Sequence, residues 1–309
     1  MKQANMKAML IYNPTAGQIW QQFQPEMVKN YLQEQGWQVD VEPTQKISGG
    51  TDLARKAAQL KYDVVIAAGG DGTINEVAQG LVHTPVKLGF LPVGTTNVLA
   101  REFKIPLNYE EALAYLPQAE SRLIDLGKLN QRHFLLMAGV GYDAEILMRV
   151  NKQFKNVAGK LAVFTSGVEN LFHHNPFVLK MRFEDAQGKR RKLKRRVMQI
   201  FISNASTYAT DYKIAEQAVM DDGLLELHIF KSKRFRDTLY SLLSLLLRRH
   251  KEWVDFEHYS IRKIQIFSRK PAPIQIDGDL VGYTPATIEI VPKALHILAP
   301  KQEDKAENP

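Results

Sequence analysis

The 309-residue chain has no cysteine. A disulfide framework, a thiolate-held zinc or iron–sulfur centre and thiol catalysis are therefore excluded. Long apolar runs are also missing. The nearest, Leu239–Leu247, is interrupted by two serines and falls well short of the roughly 20 residues that a helical membrane span needs. No N-terminal stretch has the basic, apolar, then small-residue order of a secretory leader, so a cytoplasmic protein is expected. The eight histidines show no HExxH spacing. Neither GxxxxGK[ST] nor GxGxxG occurs, because Gly139-Val140-Gly141 lacks the third glycine.

What is present is unevenly spread. Residues 1–125 hold 11 basic and 13 acidic side chains, whereas residues 126–309 hold 30 and 20. A basic second half points to an anionic surface or ligand. Its densest cluster is Lys189–Arg196 (KRRKLKRR), read either as a patch facing anionic lipid headgroups or as a solvated hairpin edge. No aromatic-interleaved binding module accompanies it, so nucleic acid is not the expected partner.

The first 125 residues alternate strand and helix. Apolar runs at Met6–Tyr12, Trp37–Val41, Asp63–Ala68 and Leu88–Leu91 read as strands. Phe23–Gln35, Thr51–Leu60 and Thr73–Leu81 read as helices between them. Such alternation predicts a parallel, doubly wound α/β domain. Beyond residue 125, short alternating strands predict a second, antiparallel β-sandwich-like domain over 126–300. They include Phe134–Ala138, Arg195–Ser203, Ile274–Asp277, Thr287–Ile290 and Ala294–Leu298, with helices around Glu145–Leu171 and Arg236–Arg249. Residues 301–309 are polar and read as a frayed tail.

Three loops would meet at the carboxyl edge of the first sheet. Gly69-Gly70-Asp71-Gly72-Thr73-Ile74-Asn75 lies between a strand and a helix. Glycines there let main-chain N–H groups approach phosphate, and the helix N-terminus adds positive potential. Asp71 among them suits Mg²⁺ or ordered water. Asn13-Pro14-Thr15-Ala16-Gly17 follows the first strand, and Gly94-Thr95-Thr96-Asn97 follows the fourth. Their convergence predicts a nucleotide crevice. Asp277-Gly278-Asp279 and Asp221-Asp222-Gly223 carry carboxylates; locally, each is equally well an Asp-Gly turn.

These motifs, in this order, resemble the diacylglycerol kinase catalytic-domain family, which includes bacterial lipid kinases, sphingosine kinases and ceramide kinases. Asn204, Ile214-Ala215-Glu216-Gln217-Ala218 and Asp221-Asp222-Gly223-Leu224-Leu225 extend the resemblance over about residues 7–300. The resemblance implies a two-domain kinase using ATP and Mg²⁺, with the nucleotide in a cleft between domains. ATP contacts would fall on Asn13, Pro14, Thr15, Ala16, Gly17, Thr44, Gly70, Asp71, Gly72, Thr73, Ile74, Asn75 and Thr95. Mg²⁺ would be held by the Asp222 carboxylate with main-chain oxygens of Val219 and Leu224. Asp279 would be the catalytic base. It would act on a lipid at an anionic membrane surface, by peripheral association and with room for a homodimer. Three positions depart from the family pattern: Asp279 for Glu, Val98 where many relatives have Asp, and Glu216 for Pro. A soluble-substrate kinase of NAD-kinase type is the main rival, since it shares Gly-Gly-Asp-Gly-Thr. A catalytically weak lipid- or nucleic-acid-binding relative is the other.

Overall fold

The computed structural model describes residues 5–14, 23–45, 49–153, 176–208, 212–213, 215–231 and 256–300. The proposed helix at Arg236–Arg249, the segment Leu239–Leu247 and the tail lie outside them, as does the later part of Glu145–Leu171. Two compact units are present. One comprises Met1–Asp125, Thr207–Asp211 and Pro292–Pro309; the other comprises Leu126–Ser206 and Tyr212–Val291.

The first unit runs β1 (Lys7–Tyr12), α1 (Pro25–Glu34), β2 (Gln38–Pro43), α2 (Gly49–Gln59), β3 (Val64–Gly69), α3 (Asp71–Leu81), β4 (Lys87–Pro92), α4 (Val98–Glu102) and α5 (Tyr109–Tyr115). β1 pairs in parallel with β2 and β3, and β3 with β4. The order is thus β2-β1-β3-β4. Every residue of β3 is buried, as a strand covered on both faces must be. α1 starts on Pro25, whose missing N–H costs nothing there. It ends where Gly36 (φ +87°) and Trp37 donate to Gln33 O and Leu32 O, satisfying carbonyls the helix leaves open. α2 packs on α3 at Gly80, where a Cβ would lie 2.5 Å from the Thr51 carbonyl oxygen. The short helices α4 and α5 were not foreseen. α5 is set by Asn108, whose Oδ1 accepts N–H bonds from Glu110 and Glu111.

The chain continues through β5 (Glu120–Leu129), β6 (Arg132–Phe134), β7 (Met137–Gly141), α6 (Tyr142–Gln153), β8 (Phe177–Asp185) and β9 (Arg190–Ser203). The two-residue strands β10 (Thr207–Tyr208) and β11 (Tyr212–Lys213) follow. Then come β12 (Leu225–Lys231), β13 (Phe256–Ser268), β14 (Pro273–Ile276), β15 (Asp279–Tyr283) and β16 (Ala286–Ala299). In the second unit the pairing is antiparallel. β9 pairs with β7, β8 and β12, and β13 pairs with β8, β12 and β16. The long strands β9 and β13 each change partners midway, which lets the sheet fold over its own core. Phe134, Ile200, Leu227, Ile264 and Ile276 belong to that core. The β-sandwich-like arrangement agrees with the sequence reading.

Two strand boundaries differ from expectation. Phe134–Ala138 is two strands, β6 and β7, broken where main-chain N–H groups turn to a carboxylate described below. Thr287–Ile290 and Ala294–Leu298 belong to one strand, β16, which passes through Lys293 at φ +49°. Within the first unit, the Lys293 N–H donates to Asp125 Oδ1 at 2.7 Å, and His296 and Ile297 pair in parallel with Lys87 and Leu88.

The basic run lies on β9 and is divided by the strand's alternation. Arg191 and Arg195 are half-buried and held by acids: Arg191 Nε lies 2.8 Å from Asp185, and Arg195 Nε 2.7 Å from Glu257. Burial alone would raise the Glu257 carboxyl. Hydrogen bonds from Arg195, Lys231 and Tyr259 outweigh it and hold the group down at about 2. A depressed carboxyl contributes stability above its unfolded value and loses it as pH falls towards the folded one. The urea midpoint should therefore drop between about pH 4.5 and 2, and Glu257→Gln should flatten that part of the curve.

Candidate functional site

The strand order of the first unit places a topological switch at β1 and β3, where one crossover leads left and the next right. The registers Tyr12↔Pro43, Tyr12↔Ala68 and Gly69↔Pro92 bring the ends of the four strands to one edge. Asn13 and Pro14 lie there, half-buried, with the Asn13 N–H donating to Ala68 O at 3.3 Å. Thr44 is brought to the same edge by its N–H bond to Tyr12 O, 2.8 Å. Thr15, Ala16 and Gly17 lie outside the described residues.

Gly70 is the N-cap of α3, in extended conformation and without a side-chain cap. The first-turn N–H groups therefore face the sheet edge with no protein side chain of Gly70 to receive them. Gly72 is exposed, and a Cβ there would meet nothing within 4 Å. Thr73, Ile74 and Asn75 are buried. Ile74 belongs to the core, the Thr73 side chain lies over Gly69, and Asn75 Oδ1 accepts from Gln79 at 2.8 Å.

The loop after β4 is built around Asn97. Its Oδ1 accepts the Gly94 N–H (3.1 Å), while Nδ2 donates to Pro92 O (3.2 Å) and Gly94 O (3.0 Å). Asn97 itself adopts φ +50°, a conformation Asn tolerates better than most residues. This holds Gly94 so close to Gly70 that a Cβ on Gly94 would lie 2.3 Å from the Gly70 Cα. Thr95 stays exposed beside it. Asp71 Oδ1 accepts the Leu99 N–H at 3.1 Å. The acid among the glycines thus also braces the start of α4, a role that its place in the motif does not reveal.

In the second unit the two acids of Asp277-Gly278-Asp279 separate. Asp277 sits at φ +47° and its carboxylate accepts three consecutive N–H bonds, from Leu135 (2.7 Å), Leu136 (2.9 Å) and Met137 (2.9 Å). These bonds break the β6–β7 run. Asn204 clamps the same segment, its Nδ2 donating to Leu135 O at 2.8 Å. Asp279, first residue of β15, has a side chain 61% exposed and paired with Arg132 at 2.6 Å. Arg132 was not anticipated, since 147 positions separate the partners and no local pattern joins them.

Behind the turn, Gln275 Oε1 accepts the Gly278 N–H (2.9 Å) and Nε2 donates to Asp143 (2.8 Å). Burial pushes the Asp143 carboxyl up to about 6, against hydrogen bonds from Gln275 and the Ala144 N–H that favour its charged form. Gly139 is required for this arrangement, because a Cβ there would lie 2.1 Å from Asp143 Oδ2. The glycines Gly139 and Gly141 serve close packing here rather than phosphate.

The turn at 219–224 presents Val219 and Asp222 exposed and Leu224 half-buried. Asp222 Oδ1 accepts the Leu224 N–H at 2.9 Å, and Gly223 takes φ +74°. No group of three or more His, Asp or Glu suited to a metal occurs among the described residues. One exposed carboxylate with main-chain oxygens fits Mg²⁺, which keeps most of its waters.

Residues 7–129 match the family model of the diacylglycerol kinase catalytic domain. Residues 137–299 match that of the YegS C-terminal NAD kinase beta sandwich-like domain. The second match spans more than half of the chain, which belongs to the family that carries this YegS C-terminal domain; its first part is similar to the diacylglycerol kinase catalytic domain. The chain is 29% identical over 301 residues to a diacylglycerol kinase of Staphylococcus aureus strain bovine RF122 / ET3-1, covering 95% of this chain and 92% of that one. The diacylglycerol kinase of strain MRSA252 matches to the same extent. Among solved structures, one from Bacillus anthracis str. Sterne superposes with TM-score 0.77 at 21% identity, over 96% of this chain and 95% of that one. A second, of a diacylglycerol kinase from the same source, gives 0.70 at 19% identity, over 96% and 97%. The likeness to these structures shows the fold, an α/β domain followed by a β-sandwich-like one.

The brace at Asp71 separates two effects of its substitution. Asp71→Ala should lower stability by about 1 kcal/mol, the usual loss for a helix-start acceptor. Asp71→Asn keeps an oxygen for the Leu99 N–H and should melt close to wild type. Thermal melts of both variants check this.

Proposed function

We propose that this member of the family transfers the γ-phosphoryl group of Mg–ATP to the hydroxyl of diacylglycerol or a related lipid. The observation that supports it most is the sheet edge at β1, β3 and β4. There the start of α3, with no side-chain cap, offers N–H groups to an anion, and the Gly94 loop packs against it in backbone contact. On this reading Asn13, Gly70, Gly72 and Thr95 would bind and orient the nucleotide phosphates. Positioning and charge stabilisation are the main demands of phosphoryl transfer.

Asp279 is the base of this reading, because Asp277 is committed to three main-chain N–H groups and Asp279 is exposed. The lipid hydroxyl oxygen forms the new bond to the γ-phosphorus as the bond to the bridging oxygen of ADP breaks. The hydroxyl proton passes to the Asp279 carboxylate. Arg132 orients that carboxylate, and an exposed pair of this kind is weak enough to open for substrate. The turn at Val219, Asp222 and Leu224 would hold Mg²⁺, which when bound supplies positive charge to the phosphates. No helix among the described residues is long and apolar enough to cross a membrane. On this reading the protein reaches its lipid by peripheral association.

Purified protein with labelled ATP, Mg²⁺ and a panel of lipids in mixed micelles tests the reaction, NAD being the control acceptor. Labelled diacylglycerol phosphate is expected; labelled NADP alone would defeat the lipid assignment. Asp279→Asn should lose about 10²–10⁴-fold in kcat with little change in stability. Asp277→Asn should instead lower stability by about 2 kcal/mol, through the weakened N–H bonds. A normal rate in Asp279→Asn would remove it as the base.

A further inference from the structure

Alternation on β9 turns Lys192, Lys194 and Arg196 outward, opposite to the two acid-paired arginines. The neighbouring strand adds to the same face. Lys180 pairs in register with Lys194, and Arg182 with Lys192, and both are exposed. None of these five cations lies within ion-pair distance of a carboxylate among the described residues. Among the described residues, acids enter at the far end of the face, where Glu184 meets Arg190 at 3.8 Å and Glu289 meets Lys263 at 2.7 Å.

Apolar side chains stand among the cations rather than beneath them. Val178, opposite Arg196, is 45% exposed, and Phe267, opposite Lys180, is 37% exposed. The Arg182 guanidinium lies 5.7 Å from the Phe267 ring centroid. A groove of about 900 Å³ runs along them, lined by Phe177, Val178, Phe267, Lys180, Lys194 and Lys270. Cations alone would suit any polyanion. Exposed aliphatic and aromatic groups at the same level suit a lipid interface, where headgroup phosphates meet the lysines and the acyl boundary receives the apolar side chains. A duplex nucleic acid offers nothing to Val178.

We propose that the outward face of β8, β9 and the adjoining end of β13 is a docking surface for an anionic lipid bilayer, with Phe267 and Val178 entering the headgroup boundary. The choice of a bilayer rests in part on the lipid-kinase reading, whereas the charge and the exposed apolar groups do not. This surface differs from the basic run. Arg191 and Arg195 are excluded, and Lys180, Arg182 and Phe267 are added.

The test uses the full chain and sedimented vesicles of phosphatidylcholine with or without phosphatidylglycerol. Binding should need phosphatidylglycerol and fall as salt is raised, the Debye length being about 8 Å at physiological ionic strength. Lys180→Gln with Lys194→Gln should weaken it about 30-fold, from roughly 1 kcal/mol per basic residue near the surface. Lys180→Arg with Lys194→Arg should bind as wild type, which shows that charge and not folding is read. Phe267→Ser should weaken binding at constant charge. Equal vesicle binding by the Gln pair, or preference for duplex DNA over anionic vesicles at the same salt, would overturn the proposal. Phosphorylation of a short-chain, water-soluble diacylglycerol is measured alongside and should be unchanged in the Gln pair. Vesicle binding that follows these variants without phosphorylation of any acceptor would sink the kinase reading and leave the docking surface supported.

Discussion

The Asp277 carboxylate gathers three consecutive main-chain N–H groups from residues 135–137, about 140 positions earlier in the chain. That one acceptor separates β6 from β7, sets the register in which β14 joins β7, and fixes the backbone of the turn that carries Asp279. Its neighbours tighten the same knot. Asn204 holds the Leu135 carbonyl, and Gln275 spans from Gly278 to Asp143. A charged acceptor bonded to three donors is far harder to displace than a solvated turn acid. The proposed base therefore stands on a rigid support while its own carboxylate remains exposed.

The first unit was largely legible in the sequence. Buried parallel strands write themselves as apolar runs, and Gly-Gly-Asp-Gly-Thr marks the end of β3 without ambiguity. What could not be read was how its loop residues divide their work. Asn97 looks like a ligand-binding amide, yet three hydrogen bonds of its side chain close the loop that carries it. Asp71 has one oxygen on α4. The bonds of Asn97 stay within its own loop, whereas that of Asp71 joins loops after different strands, which no spacing rule encodes.

The second unit was less legible for the same reason. Two acids flanking one glycine look equivalent along the chain, and only the long-range N–H groups of residues 135–137 tell them apart. Thr287–Ile290 and Ala294–Leu298, two strands in the sequence, are one strand that runs through Pro292 and Lys293. The Lys293 N–H bond to Asp125 lets the strand pass through that point. The pair Arg132–Asp279 joins distant strands and had no local signature at all.

The division of the basic run has a chemical side as well. Both half-buried positions, 191 and 195, carry arginine, and each meets a fixed carboxylate. A planar fork matches such a partner at two points, whereas an ammonium is a compact, strongly hydrated charge on a flexible stem. Lysine occupies outward positions 192 and 194, where the counter-charge is not fixed in place. Total charge is therefore a poor description of this strand. Exchanging Arg195 with Lys194 would leave the isoelectric point almost unchanged while giving the half-buried Glu257 the wrong shape of partner.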